Sequence, residues 1–231
     1  MKKTYQELTI NSHLTRNPAW SNVKLRPLPI YRDEAEHKYV WEPTGEVLAY
    51  STTQISGANK TPEQMAAIEA TRHKWEPRGK TVHHCLEQFL LGNKDPDPGE
   101  YAEWVNPLLD DEYWDQFEPW GVEYMVCDLK KSIGGQLDLL GYDHAKKELV
   151  LLDLKTQSSR RASRYNTNAQ LGSYVQGLAE HCRILVDNCR TIWSRPGKCV
   201  FGPDQNPEVC ERAWLNAWDQ FTMTRETFDN D

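Results

Sequence analysis

The sequence predicts an α/β fold in which a mixed central sheet is flanked by helices, and three observations carry that expectation. Three β-patterned runs, 122–129, 136–142 and 148–155, follow one another in mid-chain. Helix-patterned stretches with start signals and apolar stripes stand before and after them. With 231 residues, the chain is long enough for one large domain with a buried core. Strands with helices on either side in sequence make a sheet covered by helices.

Composition narrows the function classes. Hydrophobic residues make up 39% and charged residues 26%, with nine Trp and ten Tyr, which excludes a disordered tail or a low-complexity polymer. The 27 Lys+Arg against 34 Asp+Glu leave a net charge of −7, which speaks against a generic nucleic-acid coat. An enzyme that offers carboxylates to a metal and keeps its basic residues local remains compatible with that balance. The longest apolar run, Leu149-Val150-Leu151-Leu152, cannot span a bilayer, and Met1-Lys2-Lys3-Thr4-Tyr5-Gln6-Glu7 lacks an apolar signal core. An intracellular protein without membrane attachment is therefore expected. Six cysteines include no C-x-x-C pair, so reduced thiols are expected and a compact zinc site is not. The spacing of Cys182, Cys189, Cys199 and Cys210 is also atypical for an iron–sulfur cluster.

Taken in order, residues 1–36 carry weak periodicity and three prolines and read as a lead-in, with one domain over 37–231. Lys38-Tyr39-Val40-Trp41 and Val47-Leu48-Ala49-Tyr50 flank the turn Glu42-Pro43-Thr44-Gly45 and predict a hairpin. Thr61 as N-cap, Pro62 at the first helical position and Gln64 at the capping-box position start a helix running towards Trp75. A second helix is expected after Gly79, where Val82, Leu86, Phe89 and Leu90 recur at helical spacing, with Gly92 as its stop. Residues 100–117 read as a helix interrupted near Pro107. After the three strands come a helix over 167–181, strand-like 183–186 and 190–193, and a final helix over 208–228.

The hairpin of the second and third strands carries the chemistry. A loop over 144–147 sets Asp143 opposite Glu148, and counting outward sets Asp138 opposite Asp153. The same count pairs Gln136 with Lys155 and puts Leu137, Leu139 and Gly141 on the opposite, apolar face with Leu154, Leu152 and Val150. Opposed residues have Cβ atoms about 4.5–5.5 Å apart, so one divalent ion can take a ligand from each carboxylate. Two like charges so placed destabilise a strand pair unless a cation lies between them. A turn that shifts the register by one residue would instead send Asp138 to the other face and leave both groups as solvated strand positions. His83, on the flank of the Val82-Leu86-Phe89 stripe with Glu87 one turn later, reads by itself as a satisfied histidine at the edge of a core.

Four segments occur in a telling order: Arg78-Gly79-Lys80-Thr81-Val82-His83 with Leu86-Glu87, Gly135-Gln136-Leu137-Asp138, Asp153-Leu154-Lys155-Thr156, and Gln170-Leu171-Gly172-Ser173-Tyr174. Together they resemble the PD-(D/E)XK nuclease superfamily, and within it the RecB-like exonuclease branch. Tyr50-Ser51-Thr52-Thr53-Gln54-Ile55 is similar to the Ser-Val-Thr segment ahead of this core in relatives of phage and mitochondrial genome maintenance exonucleases, with Thr52 where Val is usual. The resemblance covers residues 37–195.

It implies a restriction-endonuclease-like fold and a metal-dependent exonuclease acting on DNA ends in repair, recombination or phage DNA metabolism. It further implies that His83, Asp138 and Asp153, with the backbone carbonyl of Leu154, hold one or two Mg²⁺ or Mn²⁺ ions, and that Lys155 orients or activates the attacking water. Gln170 and Tyr174, one helical turn apart, would lie near the substrate backbone, as would Ser51 and Thr52. Arg160, Arg161 and Arg164 directly after the Asp-x-Lys strand, and Arg72, Lys74, Arg78 and Lys80 ahead of His83, are placed to neutralise phosphates. Trp75, Tyr101, Trp104 and Trp114 are candidates for stacking unpaired bases, although most Trp residues fill cores. A restriction-type endonuclease would share the metal hairpin, but no target-reading element is evident. A non-catalytic DNA-binding subunit with the same fold is the third reading, and intact Asp138, Asp153 and Lys155 count against it.

Overall fold

A computed structural model describes residues 25–228 apart from residue 34. The fold is mixed α/β, a mixed central sheet with helices on both faces. Most of the expected lead-in, 1–24, lies outside the described residues, but from Leu25 onward it is not loose. Leu25 is buried and its N–H donates to Trp120 O (2.9 Å). Strand β1 (Ile30–Asp33) then pairs antiparallel with β2 (Lys38–Trp41). The expected hairpin is present as β2 and β3 (Glu46–Val47), but Tyr50 leaves it to start β4 (Tyr50–Ser51) in the main sheet.

Helix α1 (Thr52–Ser56) follows at once, with Ser51 as its N-cap accepting from the Gln54 N–H. Helix α2 (Pro62–Ala70) starts with the expected capping box between Thr61 and Gln64. It stops before Trp75, and α3 (Arg72–Leu90) starts directly after Thr71, well ahead of Gly79. Pro77 is therefore inside a helix. Its missing N–H removes one bond, and Glu76 braces that turn by pairing with Arg72 (2.8 Å) and Lys80 (3.0 Å). The expected helix over 100–117 is shorter, α4 (Ala102–Leu109), because a 3-10 turn over Glu112–Asp115 leads into a longer β5 (Phe117–Asp128).

Strands β6 (Ile133–Asp143) and β7 (Glu148–Thr156) form the expected hairpin. Helix α5 (Asn168–Gly177) ends in a π-turn over Leu178–Cys182. No strand forms over 183–186, because Arg183 is left-handed (φ 54°) and the Ile184 N–H turns back to Leu178 O (3.1 Å). Strand β8 (Asn188–Arg195) then turns at Gly197 into β9 (Lys198–Phe201), which was not expected, and α6 (Pro207–Phe228) closes the described chain. Among the described residues no helix is long and apolar enough to cross a membrane. All six cysteines are free thiols.

Two apolar clusters hold the layers together. Leu149 and Leu151 of β7 pack with Leu171, Tyr174, Val175 and Leu178 around α5. Val150, Leu152 and Leu154, on the other face, pack with Val82, Leu86 and Leu90 of α3 and Val105 and Leu108 of α4. The alternation along β7 is the period of a strand buried on both sides.

Along β5 and β6 that alternation breaks. Glu123 sits in the left-handed region (φ 46°), and across this point both strands exchange faces. Val122 and Leu139 join the α3 cluster, whereas Tyr124, Val126 and Leu137 join the α5 cluster. The expectation that Leu137 and Leu139 share a face is thus corrected. The register Asp143–Glu148 through Leu139–Leu152 is as counted, but the β6–β7 ladder ends there. Gln136 and Leu137 pair instead with Met125 and Tyr124 of β5.

Candidate metal centre

Beyond Leu139 the two strands of the hairpin part. Strand β5 occupies one edge of β6 from Ile133 to Asp143, so β4, parallel to Ile133 and Gly134, must use the other edge, the one that β7 holds only from Leu139 onward. Between these two partners, Gly135 to Asp138 have an edge that no strand covers. A cleft of about 290 Å³ fills this fork, with Asp138, Lys155, His83 and Glu123 in its walls. Gly135 is needed there because a Cβ would lie 2.4 Å from Thr52 Oγ1 and 3.1 Å from Tyr174 Cε1. Its bare backbone lets α1 and α5 close on β6.

Three ligand-bearing side chains converge in the cleft. His83 Nδ1 lies 3.2 Å from Glu123 Oε1 and 3.4 Å from Asp138 Oδ1. One ligand atom each from His83, Glu123 and Asp138 fall within 4.8 Å of one another. Helix α3 delivers His83 from one face, and the left-handed break delivers Glu123 from β5. The other oxygens are fixed: Asp138 Oδ2 accepts the Leu154 N–H (2.5 Å), and Gln136 Nε2 donates to Glu123 Oε2 (2.9 Å). The Leu154 N–H is thereby spent on Asp138 where the strands diverge.

Charges are compensated within the group. Burial works against a charged His83, but the Asp138 and Glu123 carboxylates outweigh it and raise its pKa to about 10. Burial pushes the Asp138 pKa up, yet the His83 and Lys155 charges and the Leu154 N–H bring it below the usual value. Glu123 is raised, mainly by burial. Asp153 has no exposed surface; its Oδ1 accepts from Lys155 Nζ (2.8 Å) and its Oδ2 has no partner among the described residues. Burial, reinforced by the Asp138 charge, pushes Asp153 up to about 6 although Lys155 opposes the shift. Lys155 is desolvated too, but Asp153 and Asp138 keep it firmly protonated.

Among the expected ligands, His83 and Asp138 are brought together, whereas Asp153 is engaged with Lys155 and stands outside the three-residue group. Glu123 belongs to the group and was not singled out from sequence. The one available signal was a lone carboxylate inside the apolar run Val122-Glu123-Tyr124-Met125-Val126. Two carboxylates and an imidazole, with the buried Asp153 Oδ2 left unpartnered nearby, fit a small hard divalent cation such as Mg²⁺ or Mn²⁺.

Gln170 Nε2 donates to Tyr174 Oη (2.9 Å), so the expected one-turn pair is formed, and both line the cleft. Thr52 Oγ1 meets Ser173 Oγ (2.9 Å) and also lines it, while Ser51 is occupied as a helix cap. Arg160, Arg161 and Arg164 are exposed on the loop after β7. The basic group before His83 is different from the expectation. Arg78 is buried with its guanidinium 5.4 Å from the Trp104 ring, and Arg72 and Lys80 are paired with Glu76, so these three charges are turned inward or neutralised. Trp114 is also core, its Nε1 donating to Leu108 O (2.5 Å), and Trp104 donates to Gln157 O (2.8 Å). Tyr101 is partly buried edge-on against Trp104, and only Trp75 of the four is exposed.

No protein-family model and no curated protein matches the chain. Among solved structures it is similar to one titled "Crystal structure of SSO0001", with 12% identity over 74% of this chain and 75% of the other, at a TM-score of 0.40.

Proposed function

We propose that this chain is a Mg²⁺- or Mn²⁺-dependent deoxyribonuclease that hydrolyses phosphodiester bonds at DNA ends, an intracellular enzyme of DNA repair, recombination or phage DNA metabolism. The observation that supports it most is the meeting of His83, Glu123 and Asp138 in one cleft with Lys155. His83, Glu123 and Asp138 would hold the cation, with Asp153, on which the Asp138 charge acts, a further carboxylate beside them. When bound, the ion supplies Lewis-acid stabilisation of the charge that develops on the phosphoryl oxygens and acidifies water at neutral pH.

The chain's own residues do the rest. Asp153 fixes the Lys155 ammonium by its 2.8 Å bond, so Lys155 meets a non-bridging oxygen or the attacking water without reorganising. Water adds to phosphorus and gives up one proton, the P–O ester bond breaks, and the departing alkoxide takes up one proton. Gln136 and Leu154, by holding Glu123 and Asp138, keep the carboxylates aimed before any ion arrives.

End-labelled linear DNA and a covalently closed circle, each incubated with Mn²⁺ and with EDTA, test this reading. Release of mononucleotides from the linear DNA alone, abolished by EDTA and by Asp138→Asn, is the expected result. Nicking of the circle would favour a restriction-type endonuclease, and binding without cleavage a non-catalytic DNA-binding subunit. Full activity in EDTA would overturn the metal assignment.

A further inference from the structure

The segment from Gln157 to Thr167 leaves β7 just beyond Lys155 and leads into α5. It is pinned at both ends. The Gln157 N–H donates to Ser194 O (2.9 Å), Arg195 Nε donates to Gln157 Oε1 (2.7 Å), and Gln157 Nε2 donates to Ser163 O (2.7 Å). At the far end Thr167 Oγ1 meets Thr191 Oγ1 at 2.6 Å. From this fixed base the loop presents Arg160, Arg161, Arg164 and Tyr165 to solvent. None of the three arginines is in an ion pair among the described residues.

Tyr165 is 57% exposed, unusual for a large aromatic side chain held in a defined place. Its ring stands edge-on to Trp193, with centroids 4.9 Å apart and planes at 83°. Whichever ring presents its edge, at least one face of Tyr165 is left uncovered by Trp193. Trp193 is buried and is the register partner of Lys155 across the β7–β8 pair, so the exposed ring packs on the residue that lies one strand, about 5 Å in the hydrogen-bonding direction, from the lysine of the cleft. Desolvation of the hydroxyl raises its pKa and Lys155 opposes the rise, as neighbours do.

Resting on the reading of the cleft as a nuclease site, we propose that Tyr165 is a stacking platform for a nucleobase next to the scissile phosphate. Arg160, Arg161 and Arg164 track the adjoining backbone. Charge for phosphates beside an exposed ring for a base is the combination that binds single strands, because a base within a closed duplex has no free face. The preferred substrate is then a DNA strand whose terminal bases are unstacked.

The test is binding in EDTA, followed by the fluorescence of a single-stranded oligonucleotide carrying 2-aminopurine. With wild type, fluorescence should be quenched at one position of the strand. Tyr165→Ala should remove that quench and weaken binding about tenfold, the scale of one lost stack. Tyr165→Phe and Tyr165→Trp should retain both, and the salt dependence of binding should be the same in all four proteins, since the ring carries no charge. A blunt hairpin-capped duplex should bind equally to all of them. Unchanged affinity in Tyr165→Ala, or a Phe variant as weak as the Ala variant with an unaltered circular dichroism spectrum, would overturn the platform while leaving the nuclease reading in place. Tyr165-dependent binding without cleavage in Mn²⁺ would do the reverse, and no binding by wild type in EDTA would end the platform.

Discussion

Glu123 joins an irregularity of the backbone to the chemistry of the cleft. Its left-handed φ of 46° is costly for a residue with a long side chain, and such conformations persist where surrounding structure holds them. Glu123→Gln keeps the shape and removes one anionic ligand, so Mn²⁺ affinity should fall on the order of tenfold or more, because affinity follows ligand charge. Isothermal titration with an unchanged circular dichroism spectrum checks it. His83 adds a pH dependence of defined sign. With its pKa raised to about 10, the ring is an imidazolium at neutral pH and cannot ligate until the proton leaves. Mn²⁺ should therefore bind more tightly as pH rises towards 10, with release of about one proton per ion at pH 7, read from titrations in buffers of different ionisation enthalpy. Asp138 and Lys155 were legible from the count outward from the turn and from the order of the motifs, and both line the cleft although the ladder ends at Leu139–Leu152 before reaching them. Glu123 was not, because its approach to His83 depends on a face exchange that no alternation pattern announces.

At the level of elements, the fork is produced by a competition for one edge of β6. Strand β4 takes Ile133 and Gly134, β7 takes Leu139 to Asp143, and the gap is where the cleft opens. Gly135 is a point of close approach in it. Gly135→Ala puts a methyl group 2.4 Å from Thr52 Oγ1, which is held by Ser173, so α1 or α5 must move. A destabilisation of about 1–3 kcal/mol, with loss of activity exceeding the loss of folded protein, is expected from denaturant unfolding and assays on the same samples. Elements with local signals were readable: the Thr61–Gln64 capping box and the Asp143–Glu148 turn stand as the sequence reading placed them. Elements decided by tertiary contacts were not. Pro77 reads as a breaker until Glu76 is seen bridging its turn, β9 is too short to declare itself, and 183–186 has strand-like composition but a left-handed start.

For the whole molecule, a net charge of −7 makes the position of each cation matter. The basic stretch ahead of His83 reads from sequence like a phosphate-binding patch, yet its Arg78 is inside the protein and its Arg72 and Lys80 answer to Glu76. On the proposed reading the exposed arginines after β7, with the exposed Lys74, would carry long-range attraction. Changing Arg160, Arg161 and Arg164 together to Gln should lower DNA affinity and flatten the slope of log affinity against log salt by up to about 2–3, at ~0.7–0.9 per lost phosphate contact. An unchanged slope in anisotropy titrations would show that these arginines face away from the DNA.

The three donors of the cleft lie far apart along the chain: His83 and Glu123 are 40 residues apart, and Glu123 and Asp138 are 138 − 123 = 15 apart. His83 also rides on α3, whose contacts belong to one apolar cluster, while Leu137, the residue before Asp138, belongs to the other. An ion held there acts as a clip across two long loops, and the clip can close only once β5, β6 and α3 have docked. Its free energy is then expected to enter after the folding transition state and to act on the native state. Saturating Mn²⁺ should accordingly slow unfolding while leaving the refolding rate nearly unaltered, a split that stopped-flow denaturant jumps with and without chelator would resolve. Endurance rather than speed of assembly is what the fork between β6 and β7 would gain from a bound ion.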